Sequence, residues 1–309
     1  MNRTEYMTVA EAYIAALPSA KKSPATVRAY KMILGKFAAY LNQTDADEIS
    51  ELAVINFRAY LAAQKLKSNT VAHYLTVLHA FFAWAARTRQ IETNPVPVEE
   101  IPKASQIDYD LPTLDEIETV LNSAPRGIHK KNSCRNRAIV LLLIQAGLRN
   151  SELRALTPAD LDFEKCVIRI RHGKGDKYRE APFPARAREA VAEYLNSARP
   201  RELTERDYLF GSSAGTDGKT EIAGEWHIMT SPMLLGIVKR YVYHLTKHKD
   251  IGVHDLRHAF ASYASNKGVS TRDISLCLGH SNEIITNKVY ISILDKSKAP
   301  TTVNAALDA

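Results

Sequence analysis

The sequence predicts a mainly α-helical fold with a small β-sheet, split into a four-helix N-terminal domain and a mixed α/β domain. Three observations predict it. Apolar residues recur at helical spacing through residues 1–93. Residues 94–110 gather three prolines and several charges between periodic segments. Near residue 166 the hydrophobic period switches from that of a helix to that of a strand, then returns.

The first helix is expected over Val9 to Leu17, opened by a capping box of Thr8 with Glu11. Ser23 followed by Pro24 marks an N-cap with proline at the first helical position. Val27, Tyr30, Ile33, Leu34, Phe37 and Leu41 then give the second helix one apolar face. A third helix covers about 51–64 and a fourth about 69–87, the latter carrying Val71, Leu75, Leu78, Phe82 and Trp84. Such aromatic rows could stack on bases, but their period matches burial and assigns them to a small helical core. Asn94-Pro95-Val96-Pro97 stops the last helix, and residues 94–110 are expected to run as an extended linker. A second capping box, Thr113 with Glu116, opens a domain spanning residues 111–309. Residues 135–146 are strongly apolar and predict its central buried helix, ended by Gly147. Ser151 to Leu156 make a short helix stopped by Pro158. Cys166 to Arg171 and Tyr178 to Phe183 read as two strands joined by a glycine-rich turn. Residues 185–197 return to helix, and 211–225, rich in Gly, Ser and Thr, read as a flexible loop. Helices are expected at about 230–246, 254–267, 271–278 and 282–291. The tail after Asp295 has little core-forming character, and there is no internal repeat.

The 309 residues suffice for two hydrophobic cores. Net charge is +7, with +3 on residues 1–105 and +4 on the remainder, so both domains could meet an anionic partner. The cysteines Cys134, Cys166 and Cys277 are odd in number, far apart and set in or beside apolar runs. They read as buried free thiols, without metal-ligand spacing or a disulfide framework. The first residues lack the apolar core of a signal peptide, and no run is long enough to cross a bilayer. The expected setting is a reducing compartment, most simply a prokaryotic cytoplasm.

Chemistry concentrates in five short stretches: Ala146-Gly147-Leu148-Arg149, Gly173-Lys174-Gly175, His254-Asp255-Leu256-Arg257-His258, Leu278-Gly279-His280 and Tyr290. His254 and Arg257, three apart, share one face of a helix. Arg149 follows the end of a buried helix, where a rigid scaffold can hold a guanidinium. Lys174 sits at the tip of the predicted hairpin, with Lys177 as a rival three residues on. His280 follows a helix-end signature, Leu278-Gly279. Glu152 and Asp160 are expected to orient the arginine or cap local backbone, and His258 to support its helix. Two arginines, a lysine, two histidines and a tyrosine are what covalent cleavage of a phosphodiester needs without a metal or any other cofactor. No carboxylate cluster suggests a two-metal site.

In order and spacing these motifs resemble the tyrosine recombinase family, the phage-integrase and Xer-like enzymes, over nearly the whole chain. The resemblance implies a SAM-like core-DNA-binding domain in residues 1–93, a linker at 94–110 and a catalytic domain at 111–309. It implies Arg149, Lys174, His254, Arg257, His280 and Tyr290 as the catalytic set. Tyr290 is preferred among 14 tyrosines, Tyr263 and Tyr241 included, by its position after Leu278-Gly279-His280. Ile291-Ser292 departs from the polar residue and histidine that many relatives carry after the tyrosine. In the implied chemistry, the Tyr290 hydroxyl attacks the scissile phosphorus and forms a 3′-phosphotyrosyl bond, releasing a 5′-hydroxyl. Arg149 and Arg257 hold the non-bridging oxygens with fixed forks of donors. Lys174 protonates the departing oxygen, His254 accepts the tyrosine proton or orients the phosphate, and His280 donates to a phosphate oxygen.

The expected partner is double-stranded DNA with paired half-sites, clamped between the two domains. The resemblance implies a homotetramer on DNA, with accessory proteins possible. The tail from about residue 292 either packs on a neighbouring protomer or is unstructured. Two alternatives stand beside recombination: a DNA-binding accessory protein of the same fold that does not cut, and supercoil relaxation of the type IB topoisomerase kind. Compact length, without an additional N-terminal arm-binding domain, leans toward the simpler Xer-like enzymes. The target sequence, delivery of the tyrosine in cis or trans, and the choice between chromosome-dimer resolution and integration are open.

Overall fold

The computed structural model describes residues 1–20, 22–44, 48–102, 111–123, 130–171, 178–200, 202–212, 226–248 and 251–279. Lys174, Lys177, His280, Tyr290 and the helix expected at 282–291 lie outside them. The fold is mainly α-helical with a small sheet, and the chain divides into two compact units, Met1–Ile107 and Asp108–Ala309.

The first unit is a four-helix bundle of α1 (Arg3–Ala16), α2 (Pro24–Gln43), α3 (Glu51–Ala63) and α4 (Ser68–Arg87). Its core is aromatic: Tyr6, Phe37, Phe57, Phe81 and Phe82 are fully buried, and the Tyr6 ring lies 5.5 Å from Phe37 and 5.3 Å from Phe81, edge-on in both cases. The Tyr6 hydroxyl donates to the Leu34 carbonyl at 3.0 Å, which satisfies its one buried polar group. These rings are therefore a core and not a stacking surface. Ser23 caps α2 as expected, accepting from the Thr26 amide at 3.1 Å. The first helix starts earlier than the sequence reading, and Thr8 with Glu11 does not cap it. Asn2 and Glu5 form the capping box instead, with reciprocal bonds of 2.9 and 2.8 Å, because burial of Tyr6 draws the preceding turn into the helix.

Of the segment read as a linker, residues 103–110 lie outside the described residues, and the part before them is not free of the bundle. Helix α4 ends at Arg87, well before Pro95, with Arg89 in the left-handed region at φ 59°. Residues 94–101 pack back on the bundle. Val96 is buried in its core, Asn94 donates to the His79 carbonyl and accepts from the Val96 amide, and Arg58 pairs with Glu100 at 2.6 Å. Prolines fix an extended path here, but an apolar anchor and a satisfied backbone turn it into a strap.

The second unit is built on α6 (Lys130–Ala146), whose stretch from Ala138 to Ile144 is almost wholly excluded from solvent. It packs chiefly against α8 (Ala185–Ser197) and α10 (Val253–Asn266). Helix α5 (Leu114–Leu121) opens on the expected Thr113–Glu116 box. After the short α7 (Asn150–Ala155), strands β1 (Leu161–Asp162), β2 (Val167–Ile170) and β3 (Arg179–Pro182) form an antiparallel sheet in chain order, with Ile168 opposite Ala181 and Ile170 opposite Arg179. Strand β1 is too short to be seen as a period. A second two-strand pairing joins β4 (Gly211–Ser212), the first two residues of the segment read as a loop, to β5 (His227–Ile228); residues 213–225 lie outside the described residues. Helices α9 (Ser231–Thr246) and α11 (Thr271–Leu278) complete the unit. All three cysteines are free, but only Cys134 is buried; Cys166 and Cys277 are partly exposed. No helix among the described residues is long and apolar enough to cross a membrane.

Two glycines fix how the functional loops meet. Gly147, at φ +60°, reverses the chain after α6; a Cβ there would lie 2.6 Å from the Phe260 ring and 2.8 Å from Leu278. Gly279, at φ +62°, ends α11, and its Cβ would lie 2.6 Å from Arg179 Cδ. Both positions require glycine twice over, for backbone angle and for space.

Candidate active site

Arg149 lies at the N-cap of α7, immediately after the Gly147 reversal. Its amide donates to Glu152 Oε2 at 2.8 Å, its Nη1 donates to Glu152 Oε1 at 2.7 Å, and its Nη2 reaches the Gly279 carbonyl at 3.1 Å. Its side chain is about one-fifth exposed, whereas that of Glu152 is 1% exposed. Burial of Glu152 favours its neutral form, but Arg179 and the hydrogen bonds from Arg149 outweigh that and hold the carboxyl below its ordinary range. Glu152 thus orients the arginine, as expected. Asp160 takes the other expected role: it caps local backbone, accepting from the Thr157 amide, and pairs with Arg171.

Arg257 projects from α10 into the interior and is 2% exposed. Its Nη1 donates to the Gly147 carbonyl at 2.5 Å and its Nη2 to the Leu278 carbonyl at 2.6 Å. Arg149 and Arg257 therefore bond to consecutive carbonyls of one turn, Gly279 and Leu278 respectively. His280 is the next residue in the chain. Burial, then the charges of Arg149 and Arg179, push the Arg257 guanidinium down to about 9, still cationic at neutral pH. His254, one turn earlier on α10, is also held below its ordinary value, first by burial and then by Arg257. It is neutral at physiological pH and able to take a proton. The His258 ring meets His254 edge-on at 4.5 Å, so this second histidine buttresses the first.

Three of the six sequence-predicted site residues, Arg149, His254 and Arg257, are thus brought together. The other three, Lys174, His280 and Tyr290, lie outside the described residues. The two tyrosines that compete with Tyr290 are tied elsewhere. Tyr263 donates to Glu118 Oε1 at 2.6 Å, and burial followed by that bond raises its pKa. The Tyr241 hydroxyl is 2.7 Å from Ser123 Oγ. Both hydroxyls are thereby bonded to other side chains.

Sequence reasoning left Arg179 out of the site. Its Nη2 donates to Glu152 Oε2 at 2.6 Å, its Nη1 donates to the Cys277 carbonyl, and its side chain is 9% exposed. Strand alternation carried a signal: Arg179 shares a face with buried Ala181, while Glu180 points outward. A charged residue on a buried face requires a partner. Arg149, Arg179 and Arg257 surround a single carboxylate, Glu152, among the described residues. Such a concentration of cations offers forked donors of the kind that pair with oxyanions.

The chain is similar to known proteins over most of its length. The phage integrase family matches residues 113–297, and the phage integrase N-terminal SAM-like domain matches residues 10–89. The chain is 31% identical over 277 residues to a tyrosine recombinase of Pseudothermotoga lettingae, covering 88% of this chain and 89% of that one. It is 30% identical over 279 residues to tyrosine recombinase XerD of Ralstonia nicotianae, covering 87% and 83%. The Tn1549 transposon integrase, solved in complex with transposon right end DNA, has the same fold, with a TM-score of 0.72 at 19% identity over 100% of both chains. The chain belongs to the phage integrase family, the tyrosine recombinases.

Proposed function

We propose that the protein is a site-specific DNA recombinase that cuts and rejoins duplex DNA through a 3′-phosphotyrosyl intermediate. The observation that supports this reading is the meeting of the Arg149 and Arg257 guanidinium groups at the Leu278–Gly279 turn. The two guanidinium groups hold the non-bridging oxygens of the scissile phosphate as charge builds on them. The Tyr290 oxygen bonds to phosphorus, the bond to the 5′-oxygen breaks, and Lys174 supplies the proton that oxygen takes up. His254, neutral at physiological pH, accepts the tyrosine proton or orients the phosphate. His280 donates to a phosphate oxygen. The bundle of the first unit is the core-DNA-binding part and residues 111–309 are the catalytic part. Four copies act on two paired sites, with or without accessory proteins, in a prokaryotic cytoplasm.

The test is to trap the intermediate. A half-site nicked beside the scissile phosphate should yield a protein–DNA adduct that survives denaturant, and proteolysis should place the nucleotide on the peptide containing Tyr290. An adduct on Tyr263 or Tyr241 overturns the site, and no adduct on any cognate sequence leaves a non-cleaving DNA-binding protein. Two marked plasmids separate the remaining alternative: recombination requires the paired site, whereas topoisomerase-like relaxation does not.

The role of Lys174 has its own signature. Lys174→Ala slows cleavage strongly on ordinary DNA but far less where the 5′-bridging oxygen is replaced by sulfur, because a thiolate departs without a proton. Single-turnover rates on both substrates check this. Equal losses would remove Lys174 from the acid role, and the same pattern in Lys177→Ala alone would transfer it.

A further inference from the structure

We propose that Arg179 is a positioning residue for phosphate recognition, acting through Glu152 to hold the Arg149 fork toward the DNA while leaving its charge available. This rests on the reading that Arg149 grips the scissile phosphate.

The geometry carries the idea. Glu152 has two oxygens and divides them: Oε1 takes Arg149 Nη1 at 2.7 Å, and Oε2 takes Arg179 Nη2 at 2.6 Å together with the Arg149 amide at 2.8 Å. A buried Arg149–Glu152 pair by itself would be electrically neutral and a weak anion receptor. With Arg179 as a second cation, the same carboxylate aligns Arg149 yet leaves the trio with one net positive charge. A carboxylate shared in this way cannot rotate to chelate Arg149 with both oxygens, because Arg179 occupies the second.

Arg179 also acts at the other wall of the pocket. Its Nη1 donates to the Cys277 carbonyl, and its stem passes where only a glycine at 279 leaves room. Arg149 itself reaches the Gly279 carbonyl. One guanidinium therefore fixes both the carboxylate behind Arg149 and the helix end that Arg149 touches. Lysine would keep the charge but, with a single ammonium on a flexible stem, would not span both acceptors in a fixed plane.

The experiment compares single-turnover cleavage of a half-site bearing either a normal scissile phosphate or a methylphosphonate, in which one charged oxygen is a methyl group. The neutral substrate asks less of Arg149, so Arg149→Ala should lose much less on it than on phosphate. Arg179→Gln should lose roughly 10- to 100-fold on phosphate, by analogy with residues that orient metal ligands through a hydrogen bond. On methylphosphonate that loss should shrink in parallel with the Arg149→Ala loss. Combined with Arg149→Ala, Arg179→Gln should add little, because the two act on one contact. Arg179→Lys should be intermediate on phosphate, and it supplies the same comparison if Arg179→Gln does not fold. Equal loss on the two substrates would make Arg179 merely structural and overturn the proposal. A full additional loss in the Arg149→Ala background would also overturn it, by making Arg179 an independent DNA contact. If Arg149→Ala were itself indifferent to the methyl group, the underlying reading of the pocket would fail, a result distinct from either.

Discussion

Replacing Tyr290 with phenylalanine should abolish the covalent adduct while leaving DNA binding nearly intact. The substitution deletes one oxygen and keeps the ring, so packing is preserved and only the nucleophile is lost. Removal of a nucleophile from a cooperating set costs on the order of 10⁶-fold in rate. Affinity depends on many phosphate contacts spread along the protein surface, so losing one hydroxyl should change it by less than about threefold. The check pairs a denaturing gel for the adduct with a binding titration at one fixed salt concentration. Adduct formation that survives Tyr290→Phe would overturn the assignment. The alternatives are poorly placed to take over, since Tyr263 is bonded to Glu118 and Tyr241 lies against Ser123.

The second large effect belongs to the arginines, and the structure predicts that they differ. Arg149→Ala and Arg257→Ala should each slow cleavage by on the order of 10³-fold, about 4 kcal/mol of transition-state stabilisation, as for loss of a preorganised donor to a developing oxyanion. Their effects on stability should diverge. Arg257 is 2% exposed and satisfies the Gly147 and Leu278 carbonyls. Truncating it strands two buried acceptors at roughly 1–3 kcal/mol each, and thermal unfolding should shift down clearly. Arg149 is partly exposed, and its removal leaves Glu152 still paired to Arg179, so unfolding should move little. Single-turnover cleavage together with thermal melts separates the two contributions. Cleavage by Arg257→Ala within tenfold of wild type would remove that residue from the phosphate site. Arg257→Lys should also fail, because an ammonium cannot hold two carbonyls and present a fork to phosphate.

Much of the fold was legible because it is local. Ser23-Pro24 and the Thr113–Glu116 box announce helix starts through bonds spanning three residues. The apolar run that becomes α6 is visible because a fully buried helix needs apolar residues all round. What was misread followed from competition between local signals. Thr8 and Glu11 have the right spacing for a cap, but Asn2 and Glu5 have it too, and the buried Tyr6 ring settles the choice. The prolines at 95 and 97 look like a linker until Val96 is seen in the bundle core. Strand β1 and the pairing of β4 with β5 span two residues each, too few to establish a period.

The sequence by itself determined the chemical inventory: which residue types are present, in what order, and which helices and strands carry them. The order of the motifs, and the family resemblance they carry, nominated Arg149, His254 and Arg257, each in a short, recognisable segment. Only the tertiary structure decided which groups meet. Arg257 reaches the Gly147 carbonyl across 110 positions of chain, and Arg149 reaches the Gly279 carbonyl across 130. Arg179 joins Glu152 from a strand that no motif marked as functional. Such bonds form because burial removes water as a competing partner and forces each charged group to find a counterpart wherever the packed elements place one. That requirement belongs to the three-dimensional arrangement, and no local periodicity encodes it.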